Sequence, residues 1–91
     1  MNKNTTNSQD ALRIWLQSND ATKICTKMEG GDRYYVVVVP ERDYRNRIKW
    51  VFGKLYDIPV IGLEFWQQGV SYFTHREDAV KEACKFFGIK Y

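Results

Sequence analysis

The stretch Arg33-Tyr34-Tyr35-Val36-Val37-Val38-Val39-Pro40 decides the fold. Two tyrosines and four β-branched valines in a row favour the extended pleat over the helix. Both alternating sets of side chains are apolar, so the strand is expected to be central and covered on both faces, at least in part. Pro40 has no ladder donor and is expected to end it. Immediately upstream, Glu29-Gly30-Gly31-Asp32 reads as a tight turn, because paired glycines readily supply positive φ. Residues 22–28 before that turn alternate, with Ile24, Thr26 and Met28 on one side and Lys23, Cys25 and Lys27 on the other. A β-hairpin is predicted.

Further upstream, Ala11, Leu12, Trp15 and Leu16 stand four apart in pairs and predict a short helix over 8–18, ended by Ser18, Asn19 and Asp20. Residues 1–7 hold no large apolar group after Met1 and are expected to form a flexible tail. Downstream of the valines, Tyr44, Ile48, Val51, Phe52 and Leu55 recur at helical spacing and predict a helix over 41–56. Asp57-Ile58-Pro59 is expected to end it. Residues 60–67 alternate again, Gln68-Gly69 reads as a tight turn, and 70–73 return as a strand. Thr74-His75-Arg76-Glu77 fits a capping box ahead of a last helix that turns Ala79, Val80, Ala83, Cys84 and Phe87 inward and stops at Gly88. The predicted order is α-β-β-α-β-β-α. It corresponds to a single small α+β domain over 8–91, with a four-stranded, mainly antiparallel sheet and helices on one face.

The chain has 91 residues, of which fourteen are aromatic, and two are cysteines. Intrinsic disorder is excluded by so many bulky apolar groups, and a disulfide framework by so few cysteines. No apolar run approaches the ~20 residues of a membrane span, and the polar start carries no signal-peptide pattern. The expected location is the cytoplasm.

The formal net charge of +3 is unevenly distributed. Residues 1–41 are neutral and 57–91 sum to −1, while 42–56 carry Arg42, Arg45, Arg47, Lys49 and Lys54 against Asp43 alone. On a helical wheel, these cations flank an outward Trp50, with Gly53 leaving a flat spot beside it. Arginine and lysine neutralise phosphates and tryptophan stacks on unpaired bases, so the segment is a candidate nucleic-acid site. Tryptophan and arginine are also the residue types enriched at protein hot spots. A basic helix face can equally be a plain solvated surface, with arginine stems covering the indole. A second candidate is the uncovered sheet face, expected to collect Lys23, Cys25, Lys27, Glu64 and Trp66 and to bind a partner or a second copy.

Catalytic signatures are lacking. His75 is the one histidine, and it is placed at a helix start without a partner. Cys25 and Cys84 have no Cys-x-x-Cys neighbour, and Gly30-Gly31 has no following Lys-Ser or Lys-Thr. The predicted element order, with Asp20 after the first helix, resembles the core of a LAGLIDADG homing-endonuclease domain, in which an acidic residue there binds metal. The local sequence Ile14-Trp15-Leu16-Gln17-Ser18-Asn19-Asp20 departs from that family's motif. Trp15 stands where small residues are required, and no glycine follows Asp20. The resemblance stops at element order. The expectation is a non-catalytic binding module without metal or cofactor. Its partner would be nucleic acid bound through Arg42, Arg45, Arg47, Lys49, Trp50 and Lys54. The alternative is a protein-interaction or inhibitor module, homodimeric or not, using those residues or a secondary sheet face around Lys23, Lys27 and Trp66.

Overall fold

A computed structural model describes residues 8–91, with the backbone only at Ser8 and Val70. The expected tail over residues 1–7 lies outside the described residues. The elements are α1 (Ser8–Ser18), β1 (Thr22–Glu29), β2 (Asp32–Arg42), β3 (Ile48–Ile58), β4 (Gly62–Phe73) and α2 (Arg76–Phe87). The strands form one sheet in the order β1-β2-β3-β4, each pair antiparallel. The protein is a small α+β domain. No helix of the described residues is long and apolar enough to cross a membrane.

The valine strand is the spine. Tyr35, Val37 and Val39 face α1 and pack with Leu12, Val51 and Leu55, backed by Trp15, Leu16, Leu63 and Phe65. Tyr34, Val36 and Val38 face α2 and pack with Phe52, Ala79 and Ala83, backed by Trp50, Phe73, Val80 and Phe87. Ala79 and Ala83 have no exposed surface, so α2 lies directly on the valines. The two helices therefore cover opposite faces, rather than one face as expected. A strand that is apolar on both sides needs a cover on each, and one helix supplies each cover.

The segment expected to be a helix over 41–56 is instead the end of β2, a loop and most of β3. A spacing of four residues puts two side chains on one face of a strand as well as of a helix. Val51 and Leu55 do share a face, but they share it at period two, with Gly53 between them. Trp50, Phe52 and Tyr56 occupy the other face. Ile48, Val51, Phe52, Tyr56 and Ile58 suit the pleat, and Gly53 disfavours a helix.

Three boundaries also differ from expectation. Pro40 does not end β2: it stands opposite Trp50, beyond Val38, the last residue that β1 pairs. There β2 is locally an edge, where a missing donor is tolerated. Gly69, with φ 74°, does not turn a hairpin. It sits in a register shift of the β3–β4 ladder, and β4 runs on to Phe73. The capping box does not form either: His75 is the N-cap in extended conformation, and its side chain makes no cap bond. Glu77 instead accepts a hydrogen bond from the Tyr91 hydroxyl. The C-terminal stop is as expected. Gly88 is left-handed, and the Ile89 N–H reaches the Cys84 carbonyl at 2.7 Å.

Candidate nucleic-acid interface

Between β2 and β3 the chain turns through Asp43-Tyr44-Arg45-Asn46-Arg47. Asp43 organises this tip. Its Oδ1 accepts the backbone N–H of Arg45 at 2.8 Å and of Arg47 at 2.9 Å, and its Oδ2 accepts Arg47 Nε at 3.2 Å. The Asp43 N–H donates to the Arg47 carbonyl and the Asn46 N–H to the Asp43 carbonyl, each at 2.9 Å. Asn46 has φ 65°, a left-handed conformation that asparagine tolerates better than most residues. Arg42 Nη1 closes the loop from below by donating to the Asn46 carbonyl at 3.1 Å. These bonds, led by the Arg47 N–H, hold the Asp43 carboxyl below its ordinary value.

The result is a fixed scaffold for exposed cations and an exposed ring. Tyr44 is 88% exposed, and the Arg45 guanidinium lies over its ring at 5.3 Å. Arg42, Arg45 and Arg47 are all exposed, and Lys49 follows half-buried on β3 opposite Glu41. Tyr72, more than half exposed, joins Glu41, Arg42, Asp43 and Lys49 around a recess of about 250 Å³. From Arg42 to Lys49 there are four cations and one carboxylate. That carboxylate is already occupied by the loop's own N–H groups and by Arg47.

The six residues expected to act together divide into two groups. Arg42, Arg45, Arg47 and Lys49 gather at the hairpin tip. Trp50 and Lys54 do not join them. Trp50 is half-buried, stands opposite Pro40 and Phe73, and packs on the α2-side core. It is no outward indole, because the outward position rested on a helical period the chain does not have. Lys54 stands opposite Val36 and Trp66 with its side chain only 18% exposed. Its ammonium lies 3.0 Å from Glu29 Oε1 and 4.9 Å from the centre of the Tyr34 ring. The hydrogen bond to Glu29 leads the causes that raise its pKa.

The secondary set is split as well. Lys27 and Trp66 lie on the α2 side of the sheet, where the Trp66 indole N–H donates to Glu64 Oε1 at 3.1 Å. Lys23 lies on the α1 side, 5.9 Å over the Tyr35 ring. The register shift between Lys23 and Cys25 inserts Ile24 and reverses the facing. No sheet face is left uncovered, since α1 and α2 each pack on one.

The helical spacing grouped Tyr44 with Ile48, Val51, Phe52 and Leu55 and so missed the exposed ring at the tip. The available signal was Asp43 and Asn46 bracketing it, two turn-forming residues between apolar runs. Among the described residues, no three His, Cys, Asp or Glu side chains cluster as metal ligands would. No protein-family model, curated protein or solved structure matches the chain.

Proposed function

We propose that the protein is a non-catalytic module that binds single-stranded nucleic acid through the tip of the β2–β3 hairpin. The observation that carries this reading is the pairing of Tyr44 and Arg45: an 88% exposed ring with a guanidinium over it, on a loop fixed by Asp43. A base stacks on the open face of Tyr44, while Arg42, Arg45, Arg47 and Lys49 engage phosphates on either side. Fixing the loop in advance lowers the ordering cost of binding. An exposed stacking ring favours unpaired bases over duplex, whose bases are already stacked. Both cysteines are free thiols, which fits a module working in the reducing cytoplasm.

The test is a titration against fluorescein-labelled single-stranded RNA, single-stranded DNA and a DNA duplex at 50 and 200 mM salt. Single strands are expected to bind more tightly than duplex, with a logarithmic salt slope of about −3 for four phosphate contacts. Absence of salt-dependent binding up to 100 µM protein overturns the reading. So does binding that survives replacement of both Arg45 and Arg47 by Ala unchanged.

A further inference from the structure

The sheet's two edges are unlike each other. β1 carries Lys23, Lys27 and Glu29 in eight residues, and its ladder is broken by the shift after Lys23. Charges and bulges of this kind keep an edge from pairing with another chain. β4 has twelve residues and one charge, Glu64. Its first part, Gly62–Gln68, pairs residue for residue with Ile58–Phe52 of β3 without a shift. The opposite side of that segment is a regular edge seven residues long.

Apolar side chains flank this edge on both faces of the sheet. On the α1 side, Ala11, Ile14, Trp15 and Ser18 face Leu63 across an open groove of about 510 Å³. Ala11, Ile14 and Ser18 are three and four residues apart, a single stripe along the helix with small residues at its ends. Ile14 is 52% exposed. On the α2 side, Trp66 is 57% exposed.

We infer that the Gly62–Gln68 edge pairs antiparallel with the same edge of a second copy of the chain, joining two sheets into one of eight strands. The edge is complementary to itself. Pairing about a dyad at Trp66 sets Glu64 opposite Gln68, whose amide can donate to it, and Phe65 opposite Gln67. No like charges meet. The same dyad sets Leu63 across from Gly69 of the second copy, so the two α1-side grooves flank the dyad, each beside the incoming strand. A symmetric contact of this kind closes on itself and leaves β1, with its guarding charges, as both outer edges. A stable dimer needs about 600 Å² from each copy. That is close to a tenth of the chain's 6343 Å² surface, a share that a seven-residue strand with its flanking tryptophan and isoleucine can supply.

The experiment is sedimentation equilibrium of the full chain from 1 to 300 µM, with hydrogen exchange at both ends of that range. The expected mass rises to twice 10.8 kDa. Exchange is expected to slow at Gly62–Gln68 with concentration and to stay unchanged at Thr22–Glu29. Trp66→Lys and Ile14→Lys, both at surface positions, are each expected to weaken dimerisation tenfold or more. A monomer mass throughout overturns the inference. A dimer that leaves β4 exchange unchanged, or that neither variant weakens, overturns it too, since the contact then lies elsewhere. The exchange measurement needs no variant, so it decides the question even if a lysine destabilises the fold.

Discussion

Gly53 lies so close beneath the carbonyl oxygen of Trp66 that a Cβ on the glycine would collide with it. The same Cβ would stand 2.8 Å from Gln67 Cα and 2.9 Å from Phe65 Cε1. The glycine is buried on the α1 side of β3, directly opposite Gln67. Its role is therefore to let Phe65 fold over the ladder onto the core, where its ring packs tilted against Trp15 with centroids 6.1 Å apart. Gly53→Ala is expected to lower stability by about 2 kcal/mol or more, because backbone atoms cannot move aside as a flexible side chain would. Urea unfolding checks this, and an unchanged midpoint would contradict the β3–β4 register.

Lys54 is a second residue whose sequence reading pointed outward and whose packing points inward. Lys54→Ala is expected to cost about 1–2 kcal/mol, through the lost ring contact with Tyr34 and the covered stem. Glu29→Gln, at the exposed end of the same ion pair, is expected to cost under about 1 kcal/mol. The lysine's pKa is raised in the fold, so its contribution is complete below the ordinary 10.5 and is lost as pH rises through the raised value. The stability gap between wild type and Lys54→Ala should therefore narrow in strong alkali to the part that the covered stem contributes. A Lys54→Ala protein as stable as wild type at pH 7 would be inconsistent with this placement.

The fold was legible where one local signal dominated. The valine run, the Gly30-Gly31 turn and Gly88 each have one strong physical reading, and each stands where it was expected. Residues 41–56 were not legible, because Val51–Leu55 and Ile48–Phe52 spacings fit a strand and a helix equally. The count of four strands agrees with expectation by two offsetting differences: β3 replaces the helix, and 60–67 and 70–73 merge into β4. The charge excess survives that change because it belongs to the sequence. Its arrangement does not, since period two and a loop send Trp50 and Lys54 inward and leave Tyr44 at the tip.

The two thiols should differ in reactivity. Burial on the inner face of α2 pushes the Cys84 thiol up in pKa, whereas Cys25 is half-buried on β1. Since the thiolate is the reactive form, Ellman's reagent is expected to modify Cys25 first in the native protein, and both only after denaturation. Equal native rates would show that the Cys84 face of α2 is not packed against the sheet.

Under the proposed function, Asp43 links loop order to binding. Its lowered pKa means that its contribution is complete above the ordinary 3.8 and is lost as pH falls through the lower folded value. The amide resonances of Arg45 and Arg47 are expected to titrate together with a midpoint below 3.8. Asp43→Asn keeps an acceptor oxygen for both N–H groups and should preserve single-strand binding at neutral pH. Asp43→Ala removes it and should weaken binding several-fold with little change in global stability. Equal binding by the two variants would show that the tip needs no internal order.

Tyr44 and Trp50 separate binding from folding most sharply, because five residues divide a tip ring from a core ring. Tyr44 stands clear of both hydrophobic clusters, so Tyr44→Ala should leave the unfolding midpoint within error. Its loss should weaken single-strand binding by about 1–3 kcal/mol, the contribution of one stacked base. Trp50 packs against the α2-side cluster with Phe73 opposite. Trp50→Ala should therefore cost about 2–3 kcal/mol of stability by opening a partly collapsible cavity. Binding by the fraction that stays folded should be unchanged, because the Asp43 loop makes its hydrogen bonds without the indole. If Trp50→Ala instead removes binding while the protein stays folded, and Tyr44→Ala does not, the interface is on the α2 face and the hairpin tip is only a well-ordered turn.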